Sequence, residues 1–239
     1  MTSIETMKIY RNMKTSSLLL PVVAMLLGAL SGAQAITITW DSGFLNSGVI
    51  PDGNVTGWSD TRTISGLTGG SITDLSVNLQ FAGGYNGDYY VTLTHSSGFS
   101  VLLNRVGRTS GDGFGYGDAG VNITLADGVG ADIHNYGGTG GNQLTGTWQP
   151  DGRYIDPASV LDTSARLNLL NQFNGLDPNG TWTLFIADMS GGEVATLQSW
   201  GLNFSVPDNG STLALLGLAV AGLGLVRTQR IRLPGRGVK

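Results

Sequence analysis

Apolar and polar side chains alternate with a period of two through the middle of this chain. In residues 75–81 (LSVNLQF) every second residue is apolar. Residues 89–94 (YYVTLT), 121–125 (VNITL), 182–186 (WTLFI) and 200–204 (WGLNF) repeat the pattern. Such segments bury one face and wet the other, as strands of antiparallel sheets do. No stretch shows a comparable 3.6-residue period. Only residues 157–173, where Leu161, Ala165, Leu167, Leu169 and Leu170 sit among polar neighbours, have room for a helical turn or two. Many short strands separated by turns predict an all-β sandwich or Greek-key barrel. Asn86-Gly87 stands between two alternating segments and predicts a hairpin. Asp177-Pro178-Asn179-Gly180 predicts a tight turn before Trp182. Residues 107–118 and 127–146, rich in glycine and dotted with aspartate, read as long surface loops.

The two ends break this pattern. Lys8, Arg11 and Lys14 precede an apolar run, residues 18–30, that is followed by Ala33-Gln34-Ala35. Positive charge, a short apolar stretch and a small-x-small site make residues 1–35 a predicted secretory signal peptide, with signal peptidase cutting after Ala35. A second apolar run, residues 213–226, is shorter than the roughly 20 residues a spanning helix needs. Arg227, Arg230, Arg232 and Arg236 follow it and would remain cytoplasmic. The domain division is therefore 1–35, 36–206 and 207–239. The two apolar runs are expected to be helices flanking the β domain, the second a transient inner-membrane anchor.

Charge narrows the partners. Residues 36–206 hold 5 arginines, no lysine, 14 aspartates and 1 glutamate, a net charge of 5 − 15 = −10. Nucleic acid, which demands a basic face, is excluded as a partner. The chain has no cysteine, so no disulfide staples the exported part.

Val206-Pro207-Asp208-Asn209-Gly210-Ser211-Thr212, then the apolar run, then arginines, resembles the PEP-CTERM sorting signals of Gram-negative bacteria in a VPDxGST variant. The motif residues are Val206, Pro207, Asp208, Gly210, Ser211 and Thr212. The resemblance implies processing by an exosortase and delivery to the cell surface or extracellular matrix, among exopolysaccharide. The phrase FNGLDPNGTWTLFIAD (residues 173–188), continuing to Trp200-Gly-Leu-Asn-Phe204, resembles the C-terminal half of the P domain (Homo B domain) of proprotein convertases. Residues 72–81 and GDYYVTLTHSSG (residues 87–98) are similar to that family's first half. The family's Ser-Pro is Ser96-Ser97 here, and region 107–146 is longer and richer in glycine. This resemblance implies a jelly-roll-like, galactose-binding-like antiparallel β-sandwich.

Chemistry is sparse. The two histidines are His95 and His134. A general base at His134 beside Ser110 would lack a nucleophile-elbow motif, and no catalytic residue is assigned. With no cysteine, a zinc site would lean on carboxylates. Calcium, which takes six to eight oxygens, is the better metal candidate. Its candidate ligands are Asp88, Asp112, Asp118, Asp127, Asp132, Asp188 and Glu193, although Asp at such points also caps turns. Trp182, Trp200, Phe173 and Phe204 read as core. Trp58, Trp148 and Tyr154 flank loops and are the candidates for glycan contact.

The expectation is thus a non-catalytic surface or matrix protein with a P-like module for adhesion or interaction. Two alternatives stand beside it: an accessory domain of a subtilisin-like serine endopeptidase acting in trans, and a carbohydrate-binding module.

Overall fold

The computed structural model describes residues 33–68 and 70–207. The predicted signal segment before Ala33, motif residues Asp208, Gly210, Ser211 and Thr212, and the apolar run 213–226 lie outside the described residues. Two sheets carry the fold. The strands are β1 (Ala33–Trp40), β2 (Val49–Ile50), β3 (Trp58–Ile64), β4 (Asp74–Gly83), β5 (Tyr89–His95), β6 (Gly98–Asn104), β7 (Val121–Ala126), β8 (Leu144–Trp148), β9 (Gly180–Asp188) and β10 (Ala195–Pro207). One sheet runs β1-β10-β4-β7-β8, with β2 also on β10; the other runs β3-β9-β5-β6. Helical structure among the described residues is limited to 3-10 turns at Leu45–Gly48, Asn86–Asp88, Ile133–Asn135 and Leu170–Phe173. No described helix is long and apolar enough to cross a membrane.

The alternating positions form the core. Leu75, Val77, Leu79 and Phe81 of β4 and Trp200, Leu202 and Phe204 of β10 point inward from one sheet. Tyr89, Val91 and Leu93 of β5 and Trp182, Leu184 and Ile186 of β9 face them from the other. Aromatic pairs bridge the sheets: Phe81 meets Tyr89 edge-on at 4.8 Å, and Trp182 meets Phe204 at 5.4 Å. Apolar area removed from water on both inner faces, at about 25 cal/mol per Å², is what holds the layers together.

Two expectations change. Asn86-Gly87 is not a hairpin turn: β4 and β5 belong to different sheets, and the 3-10 turn Asn86–Asp88 carries the chain between them. That turn is buried because segment 114–118 runs alongside it, with Gly87 N–H donating to Tyr116 O (2.8 Å) and Asn86 N–H to Asp118 O (2.9 Å). A Cβ on Gly87 would lie 2.5 Å from the Phe114 carbonyl oxygen, so the close approach requires glycine. Second, the sandwich is not wholly antiparallel. β8 joins β7 in parallel, which the long crossover 127–143 permits, and the loop read as 127–146 ends in a strand. Residues 157–173, read as having room for a helical turn or two, hold one 3-10 turn, Leu170–Phe173, and are otherwise irregular.

Register places the ends of the chain. Ala33 pairs with Pro207 and Trp40 with Trp200, so the described chain starts and finishes at one end of the sheet. Gly83 pairs with Ala195, and Tyr89 with Asp188, at the opposite end. Loops 51–57, 84–88, 105–120 and 189–194 gather there. The two ends are separated by the 10 residues of β4, about 33 Å of strand.

Candidate functional site

A pocket of about 250 Å³ opens at the end of the sandwich remote from Ala33 and Pro207, lined by Tyr85, Asp88, Phe114, Gly115, Tyr116, Gly117, Ser190 and Gly191. Asp88 arrives through the buried 3-10 turn just before β5. Its residue is 6 % exposed. Arg105 lies beside it, 3.6 Å away, but spends its donors on the carbonyls of Gly87, Gly113 and Phe114. Burial pushes the Asp88 carboxyl up to about 6; the Arg105 charge opposes this, and Asp188 and Asp52 add to it. Asp188 is also raised, by burial first, although the Ser190 and Gly53 N–H groups hold its charged form. Asp52 caps the turn opposite, accepting from Gly192 N–H at 2.9 Å. The aromatic walls are accessible: Tyr85 is 40 % and Phe114 75 % exposed.

The calcium candidates divide among different tasks. Asp88 lines the pocket, and the charge of Asp188 acts on it from behind the lining. Asp112 accepts from the Phe114 and Gly115 N–H groups and folds its own loop. Asp118 accepts from Tyr136 Oη (2.8 Å) and from Thr139 and Gly141 N–H; against the effect of burial, these donors hold its carboxyl below the usual range. Asp127 caps the turn at Leu170 and Asn171. Asp132 pairs with Arg153 at 2.7 Å. Glu193 is exposed in loop 189–194. Among the described residues no three or more His, Cys, Asp or Glu side chains gather as metal ligands.

The glycan candidates do not converge. Trp58 is buried on β3, one edge of the four-stranded sheet. Tyr154, 68 % exposed, packs edge-on against Phe99 of β6, at the other edge. Trp148 ends β8, at the edge of the larger sheet, with its indole N–H on Thr145 O.

Both histidines are held in packing and hydrogen-bond networks. His95 stacks on Trp182 with ring centroids 4.0 Å apart, and its nitrogens face the Thr181 and Asp177 carbonyls. His134 is fully buried; Nδ1 lies 2.7 Å from Asp151 Oδ2 and Nε2 2.9 Å from the Arg108 carbonyl. Both nitrogens face acceptors, an arrangement that favours the doubly protonated ring. Burial lowers the ring's proton affinity, but Asp151, with the Arg108 carbonyl, reverses this and holds it above the ordinary value. A general base needs its second nitrogen free for a nucleophile; here backbone occupies it. Asp151 also contacts Arg153 at 3.3 Å, which extends the network to Asp132. Neither Asp151 nor Arg153 stood out in the sequence, because their partners are brought in across loops and no spacing links them.

Comparison with known proteins follows the geometry. The family model for the proprotein convertase P-domain matches residues 72–204, more than half of the chain. The chain belongs to the proprotein convertase P-domain family. This P domain also carries a VPDSG-CTERM motif at residues 205–230, the PEP-CTERM-like sorting signal read from the sequence. The motif is consistent with exosortase processing and points to an exported, cell-surface protein. P domains are non-catalytic accessory domains. The serine protease of Aeromonas sobria is similar at 15% identity and a TM-score of 0.41, with 77% of this chain covered. The same protease in complex with its chaperone is similar at 16% identity and a TM-score of 0.42, with 78% covered. This P domain spans 29% of either protease chain. No curated protein matches it.

Proposed function

We propose that residues 36–206 are a non-catalytic interaction module, exported, sorted by the C-terminal signal and held at the cell surface or in the extracellular matrix, where the remote pocket contacts a partner. One observation carries this reading: β10 runs directly into the sorting motif at one end of the sandwich, and the pocket opens at the other. A module held by its C-terminus then presents the pocket outward. Cell fractionation with mass spectrometry of the mature termini tests it. The expected result is a new N-terminus at Ile36, loss of residues beyond the sorting motif, and recovery in the surface or matrix fraction. Recovery of the intact chain from the cytoplasm would overturn it.

Membership of the P-domain family supports a second reading, an accessory domain acting in trans on a subtilisin-like serine endopeptidase. Purified full chain added to such a protease should then raise the protease's melting temperature. No change, together with surface recovery, favours the first reading.

A further inference from the structure

The remote pocket combines features that a merely packed loop cluster does not need. Asp88 is more than nine-tenths buried, lines the cavity, and its carboxylate accepts no hydrogen bond among the described residues. Its neighbour Arg105 is too far for one and is aimed at backbone carbonyls instead. A buried carboxylate without hydrogen-bond donors is costly, and a ligand that supplies donors and positive charge relieves that cost. The walls are aromatic: Tyr85 and the exposed Phe114 flank the opening, and Tyr116 is fixed by its contact with Tyr136 at 4.2 Å. Ring faces attract organic cations and offer no ligand atoms to a hard metal ion. The charge acting on Asp88 is mainly negative, with Asp188 and Asp52 beside it and Arg105 against them. About 250 Å³ is below the 300–1,000 Å³ of drug-sized sites and matches a single long side chain.

The geometry points to a binding site for one basic side chain of a partner peptide, its guanidinium or ammonium on Asp88 and its stem between Tyr85, Phe114 and Tyr116. The inference rests on the interaction-module reading only for its setting, because binding is measured on purified protein regardless of where the cell places it.

The test is calorimetric titration of the full chain, in mild detergent, with Nα-acetyl-arginine amide. The controls are the uncharged isostere Nα-acetyl-citrulline amide, glucosamine and calcium chloride. Arginine amide should bind with a Kd on the order of 1 mM, and the citrulline analogue at least about tenfold more weakly, the loss of one charge-assisted pair. Asp88→Asn should weaken arginine binding by about tenfold or more. Phe114→Ala, on an exposed side chain, should leave the melting temperature unchanged and weaken binding about three- to fivefold, one exposed cation–π contact. Equal binding of the citrulline analogue, indifference to Phe114→Ala, or absence of arginine binding would overturn the inference. So would glucosamine or calcium binding where arginine amide does not. Failure here with surface recovery of the protein leaves the display reading standing, so the two fail separately.

Discussion

Asp151 and His134 form a wholly buried pair whose two halves are not equivalent. Replacing Asp151 with Ala leaves Arg153 short of one carboxylate contact and His134 facing only the Arg108 carbonyl. It also orphans the Asn104 and Arg153 N–H groups that the carboxylate accepts from. Removing one partner of a buried charged pair costs about 3–5 kcal/mol. Replacing His134 with Gln is milder. Asp151 keeps Arg153 at 3.3 Å and both backbone donors, so the loss is one charged hydrogen bond, about 1.5–3 kcal/mol. The pair also couples stability to pH. His134 binds its proton more tightly folded than unfolded, so its contribution is complete below about pH 6.5 and is lost as pH rises through the higher folded value. Each tenfold difference in proton affinity is about 1.4 kcal/mol. Asp88 and Asp188, also raised on folding, act in the same direction at lower pH, so the informative quantity is wild type minus His134→Gln. Urea unfolding between pH 5 and pH 9 measures it. The difference should shrink as pH rises from 6, and Asp151→Ala should be the more damaging change at pH 6. A difference that stays constant with pH, or a reversed order of the two variants, refutes the reasoning.

Other outcomes follow from the packing. Trp182→Ala removes a fully buried indole packed on His95, Phe173 and Phe204 and should cost about 3–5 kcal/mol in chemical unfolding. Gly87→Ala drives a methyl group against the Phe114 carbonyl and should lower stability by about 1–3 kcal/mol and displace loop 113–118, read by amide exchange. Asp60→Ala strips the Trp200 indole N–H of its 2.7 Å acceptor and should cost about 1–3 kcal/mol, whereas Arg62→Ala, at a partly exposed partner that leaves Asp60 its Trp200 donor, should cost less, about 1 kcal/mol.

Strands β4, β5, β7, β9 and β10 were legible because each places apolar residues at every second position. β3 was not: its inward positions are Trp58, Asp60 and Ile64, and the buried aspartate breaks the apolar rhythm. β8 shows only Leu144 and Trp148 around glycine and threonine, and it is defined by pairing rather than by content. Of the site, Asp88 and Asp188 were visible as acids at strand ends. The walls Tyr85, Phe114 and Tyr116 were not, because residues so distant in sequence meet only when segment 114–118 lies along the buried turn. The hairpin expectation failed for a related reason: Asn-Gly suits a two-residue reversal, but the next strand was recruited by the opposite layer.

Val206 is buried and sits opposite Gln34, and Pro207 opposite Ala33, so the folded sheet reaches into the address label itself. The predicted cut after Ala35 falls inside β1, whose Ala33, Gln34 and Ala35 pair with Pro207, Val206 and Ser205. Trimming at the tail must fall beyond Pro207 or unravel the last strand. Removal of residues up to Ala35 would therefore cost β10 the partners of Ser205, Val206 and Pro207 and leave that end of the sheet one strand narrower.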